Sequence, residues 1–292
     1  MKNFKEEKHI LEICLSDVAF PELLKTIKNP PSKLYYVGNL DLCNTPCLAV
    51  VGSRKATPYG KWAAYHIAKR AAEHGVTIVS GMASGIDSCG HMGALDAGGN
   101  TIAVLGCGPD VCYPRTNREL MNRISRTGLI LSEYPPGSPP LQGQFPARNR
   151  IISGLSYGVL VAEASLRSGS LITAGLALDQ GREVFAVPGN INSIYSIGTN
   201  KLIQDGATPL ADVDDILDLL GIREIRSSKK HRTLLGEDEE NILRFVIDHG
   251  SVTLERLCML SGKAPATVGA LVTVLEMKGM VRTSMGKIHV AK

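Results

Sequence analysis

Arg148, Asn149 and Arg150 stand side by side, a short distance ahead of an apolar stretch, Val159–Ala162. A guanidinium stays charged inside a protein and presents a fixed fork of donors, which suits phosphate oxygens. We therefore interpret this part of the chain as a donor-rich loop that binds a phosphate-bearing ligand. An alternative stays open for each arginine, namely an ion pair with an acidic neighbour such as Glu163 at a domain seam.

A second polar loop follows the apolar run Cys47–Val51, which has the length of a buried parallel strand. It offers a permissive backbone position, a hydroxyl and two positive charges: Gly52, Ser53, Arg54 and Lys55. Pro58 then suits the first position of a helix, whose free N-terminal amides favour anions. The pattern predicts an anion site directly after this strand.

The same arrangement recurs further along the chain. Ser80 and Gly81 end a predicted strand ahead of the helical stretch 88–97. A third group opens the predicted helix 171–180: Ser168, Gly169 and Ser170. A fourth polar turn, 188–190, follows the strand predicted at 183–187. Taken singly, each is better explained as a tight turn with a helix cap. Because the carboxyl ends of parallel strands meet at one edge of a sheet, the four together predict a single crevice.

The chain has 292 residues, of which 44% are hydrophobic, and a formal net charge of +4. The whole surplus lies in residues 222–236, which carry five basic residues and one acidic residue. Overall basicity therefore argues little for nucleic acid, and local clusters of arginine carry the electrostatic case. Apolar runs are too short to span a bilayer and no signal peptide is evident, so we predict a cytoplasmic protein without membrane contact.

The seven cysteines contain no CxxC pair, so we expect reduced thiols. Cys89 with His91, or Cys107 with Cys112, could suggest a metal, but no second half-site follows at ligand spacing. Buried packing is the favoured role for these thiols, and we predict no metal. Gly52 does not open a GxGxxG fingerprint, which disfavours an NAD-dependent enzyme, and we predict no cofactor.

Apolar runs alternate with helical stretches from Cys47 to about Leu220. Strands are predicted at 47–51, 76–80, 101–105, 129–132, 158–162 and 183–187. This alternation predicts an α/β fold, an extended Rossmann-like, doubly wound and mainly parallel sheet. We place this domain at residues 47–221. Residues 1–46 form a short N-terminal segment packed on the core, with an amphipathic stretch at 10–27 and a strand at Leu34–Val37.

A basic linker is predicted at residues 222–236 and a small domain at 237–292. Helices at 239–248, 254–261 and 265–278, followed by strands at 280–283 and 287–290, predict a winged helix. The stretch 264–271 of its second motif helix carries no basic residue after Lys263, so contact with protein or weak contact with DNA is favoured over base reading. A regulator of double-stranded DNA acting through this domain stays an alternative, testable by truncation at Leu220.

Five motifs together resemble the DprA (Smf) family of DNA-processing proteins. They are Val51–Arg54, Ser80–Asp87, Phe145–Ser156, Ser168–Ala174 and Val187–Gly189. The resemblance covers roughly residues 20–220, and the long arginine motif is highly specific. It implies a Rossmann-like domain that binds single-stranded DNA, forms homodimers and helps load RecA recombinase on incoming DNA in natural transformation. It implies no catalytic residue.

By this resemblance Gly52, Ser53 and Arg54 belong to the basic DNA pocket, with Arg148, Asn149 and Arg150 as neighbours. A winged helix is also common in that family, whereas a small helical domain often stands where this chain has its short N-terminal segment. Aromatic candidates for base stacking are Tyr113, Tyr134, Phe145 and Tyr195.

The main rival is an enzyme, a nucleotide phosphoribohydrolase resembling the lysine-decarboxylase-like family. The turn at Pro188-Gly189-Asn190 lacks the PGGxGT motif of that family. Glu163 has no clear partner for acid–base work, although Asp87 and Glu133 are conceivable. Release of a free base that Glu163→Gln abolishes would favour the enzyme.

Overall fold

The structure is a computed structural model that describes residues 9–219, 236–278, 280–284 and 286–290. The chain divides into two compact units, Met1–Ile222 and Arg223–Lys292. All of the predicted basic linker except Gly236 lies outside the described residues. Each unit is described by itself.

Nine strands in the described part of the first unit form one sheet. They are β1 (Leu11–Cys14), β2 (Lys33–Gly38), β3 (Cys47–Gly52), β4 (Thr77–Ser80), β5 (Thr101–Leu105), β6 (Leu129–Ser132), β7 (Gly158–Glu163), β8 (Glu183–Ala186) and β9 (Thr208–Pro209). The order across the sheet is β1-β2-β6-β5-β4-β3-β7-β8-β9. The seven strands from β3 onward pair in parallel, and β1 and β2 pair antiparallel at one edge. The predicted α/β fold with a mainly parallel sheet is confirmed.

The described helices of this unit are α1 (Glu22–Lys25), α2 (Pro58–Glu73), α3 (Ile86–Asp96), α4 (Arg118–Thr127), α5 (Gln144–Gly154), α6 (Gly169–Asp179), α7 (Ile197–Gln204) and α8 (Val213–Leu219), with 3-10 turns at Leu40–Asn44 and Arg115–Asn117. Helices α2 to α7 connect the parallel strands. The chain builds β3 to β6 towards one edge and then crosses back to place β7 beside β3. This reversal creates a crevice beyond the carboxyl ends of β3 and β7, where ligands bind in open α/β sheets.

Continuous apolar strands make the sheet a buried layer with a core on each face. On one face α2 contributes a stripe of alanines that includes Ala64, Ala68 and Ala71, all buried. Small residues let α2 and α3 approach closely, since a Cβ at Gly93 would collide with the carbonyl of Tyr65. These two helices are therefore held rigidly behind the loops that follow β3 and β4.

Two predicted elements differ in the structure. The amphipathic stretch at 10–27 is strand β1 followed by the single-turn helix α1, because β1 extends the sheet by pairing with β2. The supposed loop around Arg148 is helix α5. Its proline, Pro146, falls in the first turn, where no intrahelical hydrogen bond is lost, and Ile151 and Ile152 bury the other face.

The described part of the second unit contains three helices, α9 (Glu237–His249), α10 (Leu254–Ser261) and α11 (Pro265–Met277). Strands β10 (Ser251–Thr253), β11 (Val281–Ser284) and β12 (Lys287–Val290) pair antiparallel in the order β10-β12-β11. The third strand, β10, was not predicted, because three residues between two helices give no visible alternation. Among the described residues no single helix is long and apolar enough to cross a membrane, and α10 with α11, bent by 111°, meets that test only as a pair.

None of the seven cysteines, all of which lie among the described residues, forms a disulfide. Burial raises the pKa of Cys47 to about 12, so this thiol is kept in its inert protonated form.

His91 on α3 is buried, and its Nδ1 lies 2.7 Å from the hydroxyl of Thr101. Burial lowers its pKa from 6.5 to about 3. Between those values the unfolded chain binds a proton that the folded chain does not, so the free energy of unfolding falls as pH falls through that range. We expect urea denaturation of His91→Asn to show a weaker loss with falling pH, by up to about 1.4 kcal/mol per pH unit.

His66→Asn, which alters an exposed histidine on α2, serves as the control and should follow the wild-type profile. Parallel profiles for wild type and His91→Asn would contradict this account of the buried ring.

Candidate nucleic-acid interface

A cavity of about 770 Å³ opens at the carboxyl ends of β3 and β7. Nine of the twelve residues predicted for the site line it: Gly52, Ser53, Arg54, Lys55, Arg148, Asn149, Ser168, Gly169 and Ser170. The other three, Ser80, Gly81 and Arg150, do not. The topology thus brings three of the predicted loops together, while the loop after β4 reaches the cavity only through Ala83 and Asp87.

The loop after β3 is fixed by its backbone. Ser53 N donates to the carbonyl of Glu163 at 2.8 Å, and Ile86 N donates to the carbonyl of Ser53 at 3.2 Å. Gly52 has no room for a Cβ, which would lie 2.6 Å from Ile86 Cγ1 and 2.8 Å from Glu163 O. The loop is therefore tied to β7 and α3 at once, and it turns Arg54 and Lys55 outward.

Arg54 and Lys55 are exposed, and neither forms a salt bridge with any described residue. The guanidinium carbon of Arg54 lies 5.5 Å from the centre of the Phe145 ring, a cation–π contact. The Phe145 ring in turn lies 5.3 Å from that of Tyr113. The cavity mouth thus combines unpaired positive charge with aromatic surface.

Tyr113, Phe145 and Tyr195, three of the four predicted stacking candidates, line the cavity, whereas Tyr134 does not.

The N-terminus of α6 points into the same cavity. Ser168 caps it, with its Oγ accepting from Ser170 N at 3.4 Å and lying 2.8 Å from the Ser170 hydroxyl. A Cβ at Gly169 would meet nothing within 4 Å, so the space in front of this turn is open. Free amides at a helix start attract anions, and here they face the loop that carries Arg54.

Glu163 is buried at the end of β7 and forms no salt bridge with a described arginine. Its carboxylate accepts from Thr57 N at 2.8 Å and from Thr57 Oγ1 at 2.6 Å, at the N-cap of α2. A side chain at Gly60 would collide with this carboxylate. Glu163 therefore anchors the start of α2 to the end of β7.

Arg148 is only 4% exposed, although it lines the cavity wall. Its Nη1 donates to the carbonyls of Gly81, at 2.9 Å, and of Val104. Burial lowers the pKa of this guanidinium, and the nearby Asp87 carboxylate opposes that effect. The structure gives Arg148 the role of fixing the ends of β4 and β5 to α5, and its contact with DNA stays a prediction.

Asp87 lies beside this guanidinium near the start of α3. Its Oδ2 accepts from Gly81 N at 3.2 Å and from Ala83 N at 3.3 Å. Burial raises the pKa of Asp87, while Arg148 and those two amides act to lower it. The pair forms the polar floor of the cavity.

Arg150 points away from the cavity. Its Nη2 donates to Glu133 Oε1 at 2.6 Å, its Nε to the carbonyl of Asn29 at 2.9 Å, and its Nη1 to that of Ala147 at 2.8 Å. Arg150 therefore forms an ion pair with an acidic neighbour, which was the alternative to phosphate binding. The partner is Glu133 and not the suggested Glu163.

One wall of the cavity was not predicted from the sequence. Pro140 and Gln142 contribute to it from the loop between β6 and α5. The signal was present as four prolines, at 135, 136, 139 and 140, which stiffen a connection that carries no other motif.

The family profile described as DNA recombination-mediator protein A matches residues 12–221. The chain belongs to this family.

Among curated members of the family, DNA processing protein DprA of Streptococcus pneumoniae is 47% identical over 213 residues, which are 73% of this chain and 75% of that protein. DNA processing protein DprA of Bacillus subtilis is 43% identical over 221 residues, 75% of this chain and 74% of that protein.

Solved structures of the family agree with the fold. The X-ray structure of DprA from Streptococcus pneumoniae superposes with a TM-score of 0.70 at 47% identity, covering 73% of this chain and 75% of that one. A structure that concerns the single-stranded DNA binding mode of DprA from Helicobacter pylori gives a TM-score of 0.66 at 36% identity, covering 73% and 97%.

The two arginines of the cavity should differ sharply when removed. In this family member Arg148→Ala leaves two buried backbone carbonyls without their donor and removes a positive charge that favours the buried Asp87 carboxylate, so we expect the free energy of unfolding to fall by about 3 kcal/mol or more. Arg54→Ala removes an exposed side chain and should change it by less than about 0.5 kcal/mol. Urea denaturation monitored by circular dichroism compares the two, and equal stabilities would contradict the supporting role of Arg148.

Proposed function

We propose that the first unit binds single-stranded DNA through its sugar-phosphate backbone in the cavity beyond β3 and β7. One observation carries the proposal: Arg54 and Lys55, which form no salt bridge with a described residue, line the same cavity as the open N-terminus of α6. Both groups favour phosphate oxygens. The DprA structure from Helicobacter pylori, whose binding mode for single-stranded DNA is described, supports the same ligand here.

Single strands are favoured over duplexes because the mouth of the cavity offers ring faces as well as charge. Phe145 and Tyr113 lie beside Arg54, and a base exposed by strand separation can stack on such surfaces. The site residues we assign to DNA contact are the nine predicted residues that line the cavity, with Arg148 acting mainly from behind as a support.

We also propose that the site binds its ligand without chemical conversion. Each acidic residue suggested for acid–base work has a structural partner: Glu163 with Thr57, Asp87 with two backbone amides, and Glu133 with Arg150. None of the three is left free to activate water. Incubation with nucleoside monophosphates should release no free base, and release that Glu163→Gln abolishes would instead favour the phosphoribohydrolase.

We propose the wider role that the resemblance to the DprA family implies. The protein would be a cytoplasmic homodimer that protects incoming DNA and helps load RecA recombinase during transformation. The second unit is proposed to be a winged helix, since three helices and a three-stranded antiparallel sheet follow the order expected of one. The dimer is tested by sedimentation velocity and the RecA step by strand exchange on DNA coated with single-strand-binding protein.

Fluorescence anisotropy of labelled oligo-dT tests the DNA site. If backbone contacts dominate, affinity should fall with salt by a log-log slope of about 0.7 per phosphate neutralised, and a matched duplex should bind more weakly. Arg54→Ala should weaken binding at least about tenfold at low salt and reduce the slope by about 0.7.

Arg126→Ala is the matched control. It removes the same charge from an exposed position in the last turn of α4. This turn lies next to the start of β6, at the amino ends of the parallel strands, whereas the cavity lies at their carboxyl ends. The variant should bind like wild type. Equal losses of affinity in both variants would show that overall charge, and not the cavity, determines binding. A complex whose affinity does not change with salt would contradict binding through the sugar-phosphate backbone.

A further inference from the structure

Helix α2 exposes a row of aromatic rings outside the cavity. Tyr59, Trp62 and His66 are spaced three and four residues apart and so share one face of the helix. The Tyr59 and Trp62 rings lie 6.3 Å apart at an interplanar angle of 20°, and the Trp62 and His66 rings lie 4.9 Å apart. Trp62 is 58% exposed and Tyr59 50%.

Packing within the unit does not explain these rings. The alanines of α2 bury the opposite face against the sheet. Trp62 is not part of the hydrophobic core on either face of that sheet. Large aromatic side chains held on the surface mark a contact with something else. Beyond Pro58, α2 exposes no aliphatic side chain beside them. The row therefore offers ring faces and not an apolar groove that would bind a helix of another protein.

The row starts near the cavity, although none of its three residues lines it. Helix α2 begins three residues after Lys55, which lines the cavity mouth. The Tyr59 hydroxyl donates to the carbonyl of Pro188 at 3.1 Å. The loop that starts at Pro188 leads to Tyr195, which lines the cavity wall. A chain that leaves the cavity past this wall therefore meets Tyr59 first and Trp62 next.

A positive charge lies near the row on the exposed part of α2. Lys61 is exposed about 100° around the helix axis from Trp62, and it forms no salt bridge with a described residue. Rings that stack on bases and a cation that contacts phosphate are the combination that binds single strands.

We propose that Tyr59, Trp62 and His66 form a second contact for single-stranded DNA, a platform on which bases of nucleotides outside the cavity stack. The inference rests on the proposed function, since the cavity supplies the strand. The platform extends the footprint of the protein along the strand without reading its sequence, because every base has a ring face.

Trp62 is the single tryptophan of the chain, so tryptophan emission reports on this platform alone. We expect long oligo-dT to quench the emission on binding. An oligonucleotide of the same length with abasic sugars should bind through its phosphates, as followed by anisotropy, and leave the emission nearly unchanged.

Affinity measurements separate the platform from the cavity. Trp62→Ala should weaken binding of long oligo-dT about tenfold, as expected for one lost stacking contact, and Trp62→Phe should restore part of it. The shortest oligo-dT that wild type binds should be unaffected by Trp62→Ala but weakened by Arg54→Ala. Because Trp62 is exposed, neither replacement should alter folding.

The outcomes distinguish the two proposals. Binding of oligo-dT without quenching, and with unchanged affinity in Trp62→Ala, overturns the platform and leaves the cavity site standing. Loss of all binding in wild type overturns the proposed function itself. Emission that changes with protein concentration in the absence of DNA assigns the face to a second copy of the chain and also overturns the platform.

Discussion

One buried guanidinium holds the cavity together. Arg148 reaches from α5 to the carbonyls of Gly81 and Val104, at the ends of β4 and β5, and lies beside the buried carboxylate of Asp87. A buried cation is tolerated only where its donors are satisfied, so this contact fixes α5 against the sheet at one register. Phe145 and Asn149 are carried on α5, and their positions at the cavity depend on that register.

The polar residues of the region divide into two groups with different roles. Glu163, Asp87 and Arg150 are partnered within the protein and set the geometry of loops and helix ends. Arg54 and Lys55 are exposed and unpaired with described residues. Because a partnered charge gains little from a ligand that must first displace its partner, the second group supplies the attraction and the first supplies rigidity.

The sequence predicted the architecture well because parallel strands buried on both faces are continuous apolar runs. All six strands predicted between residues 47 and 187 are present, within two residues at each end. The edge strands were harder. Strand β1 is four residues long with one buried side chain, so its pairing with β2, and not its own pattern, makes it a strand.

The convergence of the loops was easier to predict from the sequence than the direction of each side chain. Loops at strand ends had to converge, which explains why nine of the twelve proposed residues line one cavity. Spacing alone cannot show which way an arginine points. Arg148 and Arg150 are two residues apart on a helix, about 200° around its axis, so one turns inward to the strand ends and the other outward to Glu133. Assigning that stretch to a loop concealed this difference.

The geometry also bears on specificity. Asn and Gln read adenine through a free donor and acceptor pair, and the amide of Asn149 is already engaged, accepting from Arg148 Nε at 3.3 Å and donating weakly to Gly169 O at 3.5 Å. The groups that remain free at the cavity include the cationic pair after β3 and the backbone amides that start α6. Both recognise a feature that every nucleotide shares. Fixed loops, together with donors that are free to bind phosphate, favour a site that follows a nucleic-acid backbone with little preference for sequence.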